Sequence, residues 1–396
     1  MTASRRTAVG LLAGGLAGGL AALVHRSAGA APGHDDAALH ATLDALGPSP
    51  DPVAGVRALA RFDPRQLSVC ARLDLLTVRA GLTADARLAA MAPGDPARYA
   101  AQVARQCGGP VDLLRAEHLL AGEVARLERQ AAAVFNTLGL GAGTTGARFR
   151  ALLHRGDGAY PDSDAGRATA VADMNAVLAK ARAALPRWFA PLPRECLDVS
   201  VRQMTVAEVA SGKGGFRVLP GDGQPGRYVV DLRQIARRPR WMLASVVHHE
   251  LLPGHMVQLP IERRSHPHPL RLRYAAAFTE SWAIHAEWLA WRLLPDAHSV
   301  AGAIHWRLFR VTRALADLAV NSGTAPDRVL AQLTDKLGFP VYFAPFADDI
   351  ERMRVTPGLR VAEALGALTL ARQSTRAHNI SAFNTALLAC GAHRIA

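Results

Sequence analysis

The sequence predicts a mainly α fold, a large helical domain with a small β-sheet beside the helix that carries its chemistry. Two observations lead there. Apolar residues recur at helical spacing over most of the chain, and only three short stretches between residues 197 and 232 alternate as strands do. With 396 residues, half of them hydrophobic, the chain can bury a large core.

The formal charge of +13 raises nucleic acid or an anionic surface as a partner. The pattern argues against both. Lysine occurs only at positions 180, 213 and 336, and the arginines are scattered among acids with no basic-aromatic run and no nucleic-acid-binding motif. No nucleic-acid partner is expected.

Ser4-Arg5-Arg6-Thr7 precedes a weakly apolar, glycine-rich stretch ending near Val24, and Ala28-Gly29-Ala30 follows as a cleavage signature. Residues 1–30 therefore read as a twin-arginine signal peptide. Gly10, Gly14, Gly15, Gly18 and Gly19 dilute the stretch, which falls short of the roughly 20 strongly apolar residues of a spanning helix. A periplasmic or secreted protein is expected, touching a membrane only during export. Cys70, Cys107, Cys196 and Cys390 form no C-x-x-C pair, and four cysteines allow three pairings.

From Ala31 to Pro52 the chain reads as a loose lead-in, followed by short helical patterns that complete an N-terminal helical region over residues 31–110. Leu114, Leu119, Leu120, Val124 and Leu127 mark a long helix from Val111 to Leu138, ended by the glycines from 139 to 146. A second runs from Ala165 to Leu185, where Pro186 closes it. Leu197–Val201 alternates like a strand, and Phe216–Leu219 and Tyr228–Leu232 read as a strand pair around an irregular turn. From Trp241 onward the pattern is helical.

The chemistry concentrates in two apolar segments. The first, Ser245 to Gln258, contains His248, His249, Glu250 and His255. Imidazoles are good zinc ligands, and a catalytic zinc site has three protein ligands and one open position. His249 and His255 are six residues apart, which an undistorted helix would separate by ~9 Å along its axis. Pro253-Gly254 lies between them and can break the helix, and looping out that pair would restore the i, i+4 relation of a zinc helix. His248 competes for the role, but its axial separation from His255 is ~10.5 Å.

The second segment, Tyr274 to Trp291, is apolar on almost all sides and still carries Glu280, His285 and Glu287. Buried charges need partners. Glu280 stands far enough after His255 for its helix to pack antiparallel on the first, which makes it the third ligand. Glu250 fits the general base. Glu287 and His285 fit groups that orient His249 or His255. For Glu287 an ion pair with Arg310 or Arg313 is an equal alternative.

His249-Glu250-x-x-Pro253-Gly254-His255-x-x-Gln258, followed by Glu280-Ser281-Trp282-Ala283-x-x-x-Glu287, resembles the bacterial family called domain of unknown function 885 (DUF885). Weaker likenesses run from Arg115 through Phe149–Leu153, Arg310, Arg313 and Asp317 to Phe383 and Gly391. The resemblance implies kinship with thermolysin-like (gluzincin) zinc peptidases. It implies a zincin-like catalytic domain over 111–396, with Zn2+ on His249, His255 and Glu280, Glu250 as base, and Gln258 beside the ligands. Asn321, Glu363 and Asn384 stand where the family tends to carry His, Tyr and His, on one side of the site.

An exported zinc metallopeptidase is the expectation, its peptide substrate aligned along Tyr228–Leu232 by strand addition. The alternative is a binding protein that keeps the peptidase fold with weak or absent turnover. Asn321, Glu363 and Asn384 would allow it, because losing one oxyanion donor costs about 10²–10³ in rate. No oligomeric state is readable.

Overall fold

The computed structural model describes residues 33–221 and 223–395, and the twin-arginine leader at 1–30 lies outside the described residues. The N-terminal part is built from α1 (Asp36–Leu46), α2 (Pro52–Leu59), α3 (Val69–Ala89) and α4 (Arg98–Cys107). The stretch read as a loose lead-in thus holds a helix. Leu39 and Leu43, one turn apart, are fully buried in a small core with Leu75, Val78 and Leu82, and that apolar stripe outweighs the surrounding Gly, Pro and Asp.

Next come α5 (Leu113–Thr137), α6 (Thr145–His154), α7 (Asp164–Ala184) and the single turn α8 (Arg194–Leu197). Asp112 caps α5 by accepting from Arg115 N, and Ser163 caps α7 through Gly166 N. The α8 turn takes up the start of the stretch read as a strand, so β1 begins two residues later, at Val199–Gln203. The short helix α9 (Val206–Ala210), closed by a Thr205–Glu208 capping box, leads to β2 (Phe216–Val218) and β3 (Gly226–Val230).

The three strands form one sheet in the order β1-β3-β2, with β1 parallel and β2 antiparallel to β3. This corrects the expectation for substrate alignment. Both edges of β3 are paired, so no peptide can add to it; the strands with an open edge are β1 and β2. Arg217 sits opposite Tyr228 in the register, which places the two side chains on the same face.

The remainder is helical: α10 (Arg240–Glu250), α11 (His255–Ser265), α12 (Pro269–Tyr274), α13 (Ala276–Leu289), α14 (Ala297–Asn321), α15 (Pro326–Leu337), α16 (Phe346–Val355), α17 (Leu359–Arg376) and α18 (Ile380–Leu388). The protein is mainly helical with one small sheet. In α10 every residue from Trp241 to His249 is buried, so this helix runs inside the core instead of along its surface. Helix α14 packs against α5, α10 and α17, and α13 lies against α10 and α17.

A disulfide joins Cys70 at the start of α3 to Cys390 beyond α18. It ties the N-terminal helices to the end of the chain. Cys107 and Cys196 form no disulfide among the described residues. No described helix is long and apolar enough to cross a membrane.

Candidate metal centre

The helix carrying the first histidine stops at Glu250, a four-residue turn follows, and a new helix starts at His255. Leu252–Pro253 is cis, and Gly254 closes on the preceding turn so tightly that a Cβ there would lie 1.9 Å from the His249 carbonyl oxygen. Only glycine fits. The fully buried Trp282 donates its indole N–H toward the carbonyls of Pro253 and Gly254 at 3.2 and 3.3 Å, which fixes the turn to α13.

That break brings the two imidazoles together, with ring centroids 4.9 Å apart and planes perpendicular. Glu280, on α13, reaches both: its carboxylate oxygens lie 3.4 Å from His249 Nε2 and 3.5 Å from His255 Nε2. One donor atom from each of the three residues falls within 4.8 Å of the others. His248 is not among them, because its Nδ1 lies 3.1 Å from the Leu252 carbonyl oxygen on the turn itself.

These residues fit a divalent ion. His255 is completely buried, yet its Nε2 has no hydrogen-bond partner among the described residues, a costly state for a polar atom unless something else meets it. His249 Nδ1 is held by Glu287 at 2.8 Å, which leaves Nε2 as the nitrogen able to coordinate an ion. Two neutral imidazole nitrogens and a carboxylate form the donor set of a catalytic zinc site. Glu250 follows His249 directly and lines the same cavity.

Electrostatics bind the group together. Burial and Arg310 both oppose charging His249, but Glu280 and Glu287 outweigh them and raise its pKa to about 9. Burial works the other way on Glu280, and His249, His255 and Arg310 overcome it to hold that carboxyl well below the usual range. Burial also penalises the Glu250 carboxylate, and Arg217 with the two histidines brings its pKa down nonetheless. His255 is shifted down, chiefly by its burial.

The other residues singled out in the sequence fall in three different places. Gln258 adjoins His255, its Oε1 a long 3.5 Å from Nδ1, and its amide donates to Glu262 at 3.2 Å. His285, one residue off the ligand-facing stripe of α13, turns instead between Trp282 and Trp288, and neither ring nitrogen has a hydrogen-bond partner among the described residues. It orients neither ligand histidine. Glu287 does not pair with Arg310 or Arg313; Arg310 goes to Glu280 at 3.3 Å and Arg313 grips Asp349 with two hydrogen bonds.

Asn321, Glu363 and Asn384, expected on one side of the site, do not line its cavity. Asn321 donates to Asp317, a carboxylate that also accepts from Tyr99 and from the backbone of Gly358 and Arg360, so it serves the junction of α14 with α17. Glu363 is buried and salt-bridged to Arg360, one turn before it on α17. Asn384 donates to the Trp188 carbonyl at 3.1 Å and sits next to His285.

The site opens into a cavity of about 960 Å³, where the structure adds Arg217 and Tyr342, which the sequence did not mark, and gives Arg310 and Tyr228 places other than those expected. Arg217, from β2, forms an ion pair with Glu250. Arg310 stands over the ligand set, its Nη2 3.3 Å from His249 Nε2 and its Nη1 3.3 Å from Glu280. The hydroxyls of Tyr228 and Tyr342 meet at 3.2 Å in the wall. Arginines come from so many separate segments that no local pattern announces them.

Among solved structures, a candidate lipoprotein from Colwellia psychrerythraea superimposes with a TM-score of 0.67 at 22% identity, over 90% of this chain and 67% of its own. A candidate lipoprotein of unknown function from Shewanella oneidensis matches with a TM-score of 0.62 at 12% identity, over 96% of this chain and 95% of its own. At such identities they establish a shared fold. No functionally curated protein matches. The model of the family described as bacterial protein of unknown function (DUF885) matches residues 57–393, nearly all of the described chain, and the protein belongs to that family.

Proposed function

We propose that this protein is an exported zinc-dependent peptidase. The observation that carries the proposal is the convergence of His249, His255 and Glu280 on one point, with His249, Glu280 and the neighbouring Glu250 lining a large cavity and His255 buried behind them. Bound there, zinc would supply a Lewis acid that polarises a peptide carbonyl and makes water acidic near neutral pH. Glu287 keeps His249 in the tautomer and orientation that present Nε2. Glu250 accepts the proton of the attacking water and passes it to the leaving amine. Arg217 holds Glu250 ionised, and Arg310 and Tyr342 offer N–H and O–H donors in the same cavity to a carbonyl oxygen gaining charge. Likeness in fold to candidate lipoproteins and the Cys70–Cys390 disulfide support export, since disulfides persist in oxidising compartments.

A second reading, a binding protein without turnover, draws on one specific observation. The guanidinium of Arg310 already engages the acceptor atoms of His249 and Glu280, as Arg217 engages Glu250. Elemental analysis of purified protein, wild type beside His249→Ala and His255→Ala, together with peptide-library hydrolysis by wild type and Glu250→Gln, separates the two. Peptidase function requires one zinc per chain lost in both histidine variants, and hydrolysis that Glu250→Gln abolishes while keeping the metal. Zinc binding without hydrolysis in wild type selects the second reading.

A further inference from the structure

Seven arginines line the cavity against three carboxylates, an excess of positive charge before any metal is counted. Most are committed. Arg217 pairs with Glu250, Arg233 with Asp231, Arg310 with Glu280, Arg313 with Asp349 and Arg360 with Glu363. The sixth, Arg352, is exposed and can be solvated by water, and Arg238 differs from all six. It is only 4% exposed, and neither Nη1 nor Nη2 has a hydrogen-bond partner among the described residues.

Its surroundings say what is missing. The guanidinium carbon sits over the ring of Tyr342, 3.3 Å from the centroid, a distance that leaves room only for a stacked cation supported through its face. The N–H donors of a guanidinium lie in its plane, where an aromatic face cannot reach them. Asp231, the carboxylate near enough to feel Arg238, already accepts two hydrogen bonds from the Arg233 side chain at 3.0 and 2.7 Å. A buried cation with its face covered and its edge unpaired is unfavourable unless an anion completes it. The planar fork matches a carboxylate with two parallel hydrogen bonds.

We propose that Arg238 receives a carboxylate of the bound peptide, so that the substrates of this site are anionic peptides. The proposal rests on the peptidase reading for the peptide nature of the ligand. Its core, an anion on Arg238, stands on the cavity alone. The carboxylate has two possible sources, a free C-terminus or an acidic side chain, and recognition by the fork is the same for both.

The test is binding, measured by calorimetry on full-length protein with zinc supplied and again with zinc chelated. Four short peptides of one sequence are compared: C-terminal acid or amide, each with Gln or Glu at an internal position. The expected result is at least about tenfold tighter binding of carboxylate-bearing peptides, given the strength of charge-assisted pairs. The amide with Glu against the acid with Gln tells which source is used. Arg238→Gln should bring the preference close to one, while Arg238→Lys, which keeps the charge and loses the fork, retains part of it. Equal affinity for all four peptides, binding of none, or a preference that survives in Arg238→Gln overturns the proposal. The comparison within wild type stands even where a variant fails to fold. Carboxylate preference without hydrolysis would leave this inference standing and remove the peptidase reading, whereas hydrolysis without preference would do the reverse.

Discussion

Glu287 accepts a hydrogen bond from Nδ1 of His249 at 2.8 Å, although the two residues lie on different helices. A carboxylate in this position sets the tautomer and the direction of the opposite nitrogen. Glu287→Ala should therefore lower zinc affinity by about 10–100-fold, the usual effect of removing such a partner. Glu287→Gln, which keeps an acceptor oxygen, should fall in between. Competition with a chromophoric chelator measures both, and unchanged affinity in the alanine variant would mean that His249 is not a ligand.

Arg310 shares acceptor atoms with the ion proposed here, at 3.3 Å from both His249 Nε2 and Glu280. Removing a cation from beside a cation site relieves repulsion. Arg310→Gln is expected to bind zinc more tightly than wild type while hydrolysing peptides more slowly. Weaker zinc binding would show that Arg310 supports the ligands more than it competes for them.

Gly254 and Gly122 give opposite expectations for the same change to alanine. A Cβ on Gly254 would meet the backbone oxygens of His249 and His248 at 1.9 and 2.5 Å, whereas one on Gly122 in α5 meets nothing within 4 Å. Gly254→Ala should cost at least about 1–3 kcal/mol, the range for overpacked sites. It should also lose zinc. Gly122→Ala should stabilise by up to about 1 kcal/mol through helix propensity. Thermal melts of the two variants decide the matter.

Asn384→His and Glu363→Tyr, which put in the residues expected there from the family resemblance, should leave hydrolysis no faster. Asn384 is committed to the Trp188 carbonyl and Glu363 to Arg360, and neither lines the cavity. Each change should instead lower the melting temperature, by losing a buried hydrogen bond in one case and leaving Arg360 unpaired in the other. A gain in turnover from either would place these side chains nearer the chemistry than their contacts do.

Much of this molecule was legible because local signals carried it. The long helices announce themselves by period and caps, and the histidines, Glu250 and Glu280 by charge set in apolar segments. Even the break at Pro253-Gly254 follows from the spacing of His249 and His255, which six residues of unbroken helix would hold ~9 Å apart along the axis. Legibility failed where partners are distant in sequence. Tyr228–Leu232 reads as a strand, but its pairing on both sides depends on Val199–Gln203 and Phe216–Val218 together. His285 and Glu287 are two residues apart on one helix, and only packing decides that one meets His249 while the other meets tryptophans. The arginines looked like a scattered bias in composition. Arg217, Arg238, Arg310 and Arg360 arrive in one cavity from separate elements, and no window of sequence contains that fact.

The bond between Cys70 and Cys390 spans 320 residues, and the entire centre built from α10, α11 and α13 lies within the loop it closes. A single cut anywhere in that span leaves one covalent molecule, whose pieces separate only after reduction. Nicked protein would keep its ligands within reach of one another and could re-form the centre as a unimolecular event. Surroundings rich in proteases therefore threaten this molecule less by cleavage than by cleavage followed by a thiol.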